Sequence, residues 1–490
     1  MTAHSAQLAA LLDWPDHAGD TQPLALWDSD QIAAATGGIA SVPFQCAGVE
    51  IDSRDVREGD LFFALKGEAM DGHKFIDAAF ANGAAAAVVD RPIDRPHVLV
   101  SDTTEALKAL AAASRARSDA VVIGVTGSVG KTGVKEALFA ALDRSSRGRA
   151  HRSVKSYNNH VGVPLSLARM PASSRFGVFE MGMNHAGEIS GLTAQVRPHI
   201  AIITTIAPAH IEMLGSEEAI ADAKAEIFEG LVPGGTAIIP ADSPHFERLR
   251  AAATKHGVNV VSFGMADHAD VRLLDKVTAS SGGSLVTADM GDRRVCYTVA
   301  AAGEHWVANS LSVMAAVRAA KADLGAAGLA LAEMEGLAGR GARNEIATPD
   351  GGKALLIDES YNANPASMRA TLAQLGESQA TRRIAVLGAM KELGDFAPAF
   401  HAQLAAPIAA AKVDHAVLVG DEMQALAGEL GKYGDSALGK GCSFAHCPNT
   451  DEAIAALRAF GLKDGDVVLV KGSNSVGLAK LIAQFSAEGR

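Results

Sequence analysis

An α/β fold in three domains is predicted by three observations. At 490 residues the chain exceeds what one hydrophobic core ordinarily organises. Apolar, β-branched runs alternate with helix-period segments, pause in a Gly- and Arg-rich stretch over residues 336–352, and then alternate again. The run over 121–126 passes through Gly127-Ser128-Val129-Gly130-Lys131-Thr132 into a helix pattern with Val134, Ala137, Leu138, Ala141 and Leu142 on one face.

Taken in order, residues 1–23 are Ala-rich, end in Thr21-Gln22-Pro23 and read as an extension. A first domain spans 24–115, with strands predicted at Gly59-Asp60-Leu61-Phe62-Phe63-Ala64-Leu65 and at Ala86-Ala87-Val88-Val89. A second spans 116–335. Its strand candidates at 121–126, 176–181, 200–206 and 236–239, with helix patterns between them, predict a parallel sheet covered on both faces. Short alternating segments over 271–300 predict hairpins on one edge, and a helix near 306–322 closes the domain. Residues 336–352 read as a junction. The third domain, 336–490, has strands predicted at 354–358, 384–388, 416–420 and 467–471, each ending near Gly or a charged residue. In open α/β sheets ligands gather at those carboxyl ends.

The composition, 48% hydrophobic and 20% charged, is that of a globular protein. A net charge of −12 argues against a nucleic-acid surface and leaves anion binding to local Lys, Arg, cations and helix N-termini. The four cysteines form no Cys-x-x-Cys pair and read as reduced thiols of a cytoplasmic protein. No signal peptide and no membrane span is expected.

Strand, small-residue loop, Lys-Thr and helix together form a phosphate cradle. Backbone N–H groups and the helix N-terminus face the anion, Lys131 reaches the outer phosphates, and the Thr132 hydroxyl sits on Mg²⁺. The general pattern places Gly five residues before Gly130, where this chain has Val125, so the cradle is a variant. Glu180 ends a predicted strand; alone it reads as a strand-end acid in a salt bridge, but beside a phosphate loop a carboxylate there can face the phosphates and bind Mg²⁺ through oxygen. By spacing alone His210 reads as structural and Lys224 as an ordinary solvated helix lysine, with Ser216 capping its helix. Asn362-Ala363-Asn364-Pro365 is turn chemistry that also offers amides to a base or ribose, and Lys471-Gly472-Ser473 is a second anion-friendly turn.

From about Leu26 to the C-terminus these strings resemble the Mur ligases, ATP-dependent amide-forming enzymes of peptidoglycan precursor synthesis. The matching strings are Asp52-Ser53-Arg54, Lys66-Gly67 with Asp71-Gly72-His73, the loop from Thr126 to Thr132, and Tyr157-Asn158-Asn159-His160-Val161-Gly162-Val163-Pro164. They continue through Glu180-Met181-Gly182-Met183-Asn184-His185, Ala207-Pro208-Ala209-His210, Ala223-Lys224, His305 with Asn309, Gly339-Arg340-Gly341, Tyr361-Asn362-Ala363-Asn364-Pro365 and Lys471-Gly472-Ser473. The strings at 157–164 and 361–365 favour the dipeptide-adding member over its one-residue-adding siblings and over folylpolyglutamate synthase-like enzymes. A P-loop regulatory switch would need neither the residues around a metal pair nor a nucleotide-sugar domain in front.

The resemblance implies an N-terminal UDP-substrate-binding domain, a central P-loop ATPase domain and a C-terminal Rossmann-like domain. It implies that Thr126, Gly127, Ser128, Val129, Gly130, Lys131, Thr132 and Gly133 hold ATP phosphates, and that His305, Asn309, Asn362, Asn364 and Arg340 meet the nucleoside side. Thr132, Glu180, His210 and Lys224 become ligands of Mg²⁺, two ions in all, with Lys224 carbamylated. Lys131, Glu180, His210 and Lys224 carry the catalysis. Ser53, Arg54, Lys66, Asn158, Asn159, His185 and Lys471 become substrate contacts. The implied substrates are UDP-MurNAc-tripeptide and D-alanyl-D-alanine, acted on by a monomer whose product serves cell-wall biogenesis, cell shape and division. Two departures stand out. Asp358-Glu359 precedes Ser360-Tyr361-Asn362 where the family usually has Asp-Asp or Asp-x, and Ala389 stands where an Asp before Met is common, so a polar role there is in doubt.

Overall fold

Apolar β-branched runs become buried strands because their side chains fill both faces of helix-covered sheets. The computed structural model describes residues 25–67, 70–209, 211–278, 283–433 and 442–488. The predicted extension over 1–23 lies outside them. The chain divides into two units, Met1–Ser114 and Arg115–Arg490.

The first unit holds a five-stranded sheet in the order Ile39–Ala40, His97–Leu99, Ala86–Val89, Asp60–Phe63, Gly48–Glu50. The two strands predicted there form. Phe62, Ala64, Ile76, Ala79, Ala87 and Val89 make its core.

The second unit carries two sheets. One is nine-stranded, and Val121–Thr126 lies inside it between Phe176–Glu180 and Ile200–Ile203, both parallel to it. The chain therefore leaves strand Val121–Thr126 toward one side of the sheet and returns on the other. That reversal opens a crevice at the strands' carboxyl ends. The predicted strand over 200–206 stops at Ile203, because the next residue turns to serve the phosphate loop (below). Strands Val271–Thr278, Ser284–Asp289 and Arg294–Val299 form the expected antiparallel edge. Part of the first predicted turn, residues 281–282, lies outside the described residues. Helix Lys131–Ser146 buries Val134, Ala137, Leu138, Ala141 and Leu142, the predicted face, against this sheet. Helix Glu304–Ala319 packs beside it.

The other sheet has six strands in the order Ala342–Ala347, Lys353–Glu359, Val467–Lys471, Arg383–Gly388, His415–Val419, Ser443–Cys447. One expectation is corrected here. Residues 336–352 are not simply a junction, because Ala342–Ala347 pairs antiparallel with Lys353–Glu359 and extends the sheet. Its polar alternation is that of an edge strand, which periodicity reads poorly in a Gly-rich setting. Glu359 and Lys471 stand side by side at the carboxyl ends of adjacent parallel strands.

Candidate active site

Two glycines allow the loop after Val121–Thr126 to turn. Gly130 has φ +90° and caps helix Lys131–Ser146, and a Cβ there would meet the Asn309 amide oxygen at 2.8 Å. Gly127 has φ +147°, and a Cβ would run into the Thr204 hydroxyl. The loop is tied down from behind. Thr204 Oγ1 donates to the Val129 carbonyl at 2.6 Å, Ser128 N–H donates to Thr205 O at 2.7 Å, and Ser128 Oγ donates to Ala207 O at 2.9 Å. Carbonyls engaged on that side fix the loop in one conformation. Lys131 Nζ donates back to the Gly127 carbonyl at 2.7 Å.

Glu180 sits at the end of the neighbouring strand, in register with Val125 and 1% exposed. Its two oxygens accept from the Thr132 hydroxyl and the Asn158 amide, each at 2.8 Å. Its own N–H donates to Ser153 Oγ at 3.1 Å. Those donors offset the cost of burying the carboxylate. An oxygen pair from Thr132 and Glu180 beside a phosphate cradle fits Mg²⁺, which keeps several waters and is completed by substrate phosphates. Among the described residues no three His, Cys, Asp or Glu side chains cluster as a dedicated metal cage. His210 lies outside the described residues.

Lys224 corrects the reading from spacing. It is 1% exposed rather than solvated, near the end of helix Glu217–Ala225, which Ser216 caps as predicted by accepting the Ala219 N–H at 3.2 Å. Burial, with Lys131 nearby, holds the Lys224 ammonium far below the ordinary lysine range. Burial also lowers Lys131, which Glu180 partly opposes and Arg340 reinforces.

The second sheet completes the site. A cavity of about 250 Å³ is lined by Ser128, Val129, Gly130, Lys131, Gly133, Asn158, Glu180 and Lys224 from the first sheet's side, with His305 and Asn309 from helix Glu304–Ala319. Arg340, Asn362, Asn364 and Lys471 line it from the second. Arg340 reaches across, bonding Ser156 Oγ at 3.2 Å with its guanidinium 4.2 Å over the Tyr361 ring. The loop carrying Arg340 is held by Asp358, which accepts the Gly339 N–H at 2.8 Å and the Ser360 hydroxyl at 2.6 Å. Lys471 is 2% exposed and donates to Asn362 O at 2.9 Å, with Glu359 at 3.4 Å. Burial lowers its pKa, and it lowers that of His305 too, where Glu359 opposes and Lys471 adds. Asn364 caps helix Pro365–Glu377, so its side-chain oxygen is committed to the Ser367 N–H at 2.9 Å.

Within the second unit, some predicted residues do not reach this cavity. Asn159 accepts the Gly162 N–H at 2.9 Å at the start of helix Gly162–Ala168. His185 is exposed and pairs with Glu188 at 3.0 Å. Thr126, Gly127 and Thr132 are not among the residues that line the cavity, though Thr132 bonds to the lining residue Glu180. Ser53, Arg54 and Lys66 belong to the first unit. There Arg54 is 86% exposed and paired with Asp52 at 2.6 Å, the Ser53 carbonyl accepts from Asn82 at 2.8 Å, and the Lys66 backbone pairs antiparallel with that of Asp71 in an isolated β-bridge. Ala389 is fully buried, in keeping with the loss of a polar role there. Sequence reasoning missed Ser156, Trp306, Glu359 and Tyr361 among the lining residues. Glu359 and Tyr361 lay within a quoted string, and Trp306 beside His305, so position relative to the motif was the usable signal.

Residues 45–117 match the Mur ligase family, catalytic domain; residues 125–317 match the Mur ligase middle domain; residues 342–474 match the Mur ligase, glutamate ligase domain. The chain is 36% identical over 442 residues to UDP-N-acetylmuramoyl-tripeptide–D-alanyl-D-alanine ligase of Synechocystis sp., covering 89% of this chain and 91% of that one. Its fold is similar to a crystal structure of MurF from Acinetobacter baumannii, with TM-score 0.80, 30% identity, and coverage of 95% and 100% of the two chains. MurF ligase from Thermotoga maritima in complex with ADP gives TM-score 0.72 and 26% identity, covering 90% and 97%. With the glycine loop, the buried carboxylate and polar residues of the second sheet around one cavity, these matches establish that the chain belongs to the Mur ligase family.

Proposed function

We propose that the protein joins D-alanyl-D-alanine to UDP-MurNAc-tripeptide at the expense of ATP, giving UDP-MurNAc-pentapeptide, ADP and phosphate. The observation that carries this reading is the single cavity in which Lys131, Glu180 and Lys224 meet His305, Asn309, Arg340, Asn362 and Lys471. Phosphate-side and nucleoside-side groups face one space there, and relatives of matching length bear the name of this reaction.

The tripeptide's terminal carboxylate attacks the γ-phosphorus, the bond to ADP breaks, and an acyl phosphate forms. The dipeptide's amine then attacks that carbonyl. The tetrahedral intermediate expels phosphate and the nitrogen loses its proton. The chain's task is to hold anions in line and offset their charge. Loop N–H groups and Lys131 hold the phosphates, Arg340 clamps the nucleotide from the second sheet, and Asn362, Asn364, His305 and Asn309 orient the nucleoside. Bound Mg²⁺, with Thr132, Glu180, His210 and carbamylated Lys224 as its ligands, supplies further charge neutralisation. The depressed pKa of Lys224 supports carbamylation. An uncharged amine adds to CO₂, loses one proton and becomes an anionic oxygen donor, whereas an ammonium would repel the cation. In the second unit Asn158 and Lys471, which line the cavity, are assigned to the UDP-linked substrate together with Asn159 and His185, which lie outside it. In the first unit, taken by itself, Ser53, Arg54 and Lys66 are assigned to uridine-nucleotide binding. The enzyme is assigned to the cytoplasm, with which its four free cysteines agree, and is taken to work as a monomer. No described helix is long and apolar enough to cross a membrane.

The test is phosphate release from ATP with Mg²⁺, adding the two substrates singly and together. Release that requires both, with a product heavier by one dehydrated dipeptide, is the expected result. Release with neither, or with a single amino acid instead of the dipeptide, refutes the substrate assignment while leaving the ATPase core.

A further inference from the structure

One buried charge at the site has no place in the mechanism above. Lys135 lies one helical turn below Thr132 and is 0% exposed, although lysines on helices are ordinarily solvated. Its ammonium donates to the Lys155 carbonyl at 2.6 Å, with Glu136 Oε1 at 3.0 Å and Glu180 Oε2 at 3.9 Å. A buried ammonium persists only where several partners offset its desolvation.

The carbonyl it holds belongs to an unusual residue. Lys155 has φ +52°, the left-handed region that a non-Gly residue seldom enters and keeps only when its surroundings enforce it. On either side, residues 153–158 serve both halves of the cavity. Ser153 Oγ accepts the Glu180 N–H at 3.1 Å, and the Asn158 amide donates to Glu180 at 2.8 Å. Between them Ser156 Oγ accepts from Arg340 of the second sheet at 3.2 Å.

We infer that Lys135 is a positioning residue that pins residues 153–158, so that one ammonium aligns Glu180 on the phosphate side and the Ser156–Arg340 contact on the nucleoside side. This rests on the nucleotide-site reading above. Lys135 approaches Glu180 at 3.9 Å but its hydrogen bond is to the Lys155 carbonyl at 2.6 Å, so it acts through the segment it holds.

The experiment is calorimetric titration of the full chain with ADP and Mg²⁺, which reads the site without turnover. Failure of the unmodified chain to bind ADP would refute the nucleotide reading itself. Given that binding, Lys135→Met is expected to weaken ADP about 10-fold and Ser156→Ala about 3-fold, with the double variant no weaker than Lys135→Met alone, because Ser156 has already lost its place. An unchanged affinity in Lys135→Met, or losses that multiply in the double variant, overturns the inference. A second measurement does not depend on the methionine variant folding. In the unmodified chain without nucleotide, the amides of residues 154–158 are expected to exchange slowly. Exchange at the rate of an unstructured peptide overturns the inference as well.

Discussion

Helix lysines are ordinarily solvated, yet Lys224 is 1% exposed and its ammonium is disfavoured by burial first and by Lys131 second. That places a buried lysine, its charged form disfavoured, in the lining of the cavity. Lys224→Ala is expected to lower the ligation rate about 100-fold or more, and a small added carboxylic acid to restore part of it by supplying the missing oxygen donor. Unimpaired turnover in the plain variant would sink the role. A second residue acts on stability. His151 is half-buried, donates from Nε2 to Ser166 O at 2.7 Å, and is pushed down to about 4 by burial, against the pull of the Ser166 bond. Its folded pKa lies below its unfolded value near 6.5, so the unfolded chain binds the extra proton. Stability from this site is whole above pH 6.5 and is lost as pH falls toward 4, by up to about 3 kcal/mol. His151→Gln keeps a donor and does not titrate, so its melting temperature is expected to fall less between pH 7 and pH 4.5 than that of the unmodified protein. Equal falls would remove His151 from the acid response.

At the scale of elements, capping and loop ties decide where these side chains point. Ser216 caps helix Glu217–Ala225, which carries Lys224. Ser216→Ala is expected to cost that helix about 1 kcal/mol, and Ser216→Asp to recover it. The readout is amide exchange across residues 217–225, about fivefold faster in the alanine variant; no change would mean that packing alone holds the helix. The phosphate loop was legible because its signal is local: a β-branched run, glycines where φ is positive, and Lys-Thr opening a helix. Strands Ala150–Arg152 and Ala342–Ala347 were not read in advance. Both lie at sheet edges, where short polar strands take their pairing from a neighbour rather than from their own pattern.

At the scale of the second unit, the cavity exists because two sheets present their carboxyl ends to it, and Arg340, stacked on Tyr361, spans them by its bond to Ser156. Arg340→Ala is expected to raise the KM for ATP about 10-fold with little change in melting temperature, since the contact is polar and peripheral to both cores. Lysine there is expected to recover little, because it lacks the planar group that stacks on Tyr361. A melting temperature that falls together with affinity would make Arg340 a structural strut instead.

The sequence by itself determined the α/β class, the phosphate loop, the face that helix Lys131–Ser146 buries, and the family, because each is written in local periodicity or in contiguous strings. Only the tertiary structure decided that Lys224 and Lys135 are buried, that Thr132 and Asn158 grip the same carboxylate, and that Arg340 crosses to Ser156. The physical reason is range. Side chains tens to hundreds of residues apart share a dielectric and a hydrogen-bond network only after the sheets have formed, and spacing along a chain carries no record of burial.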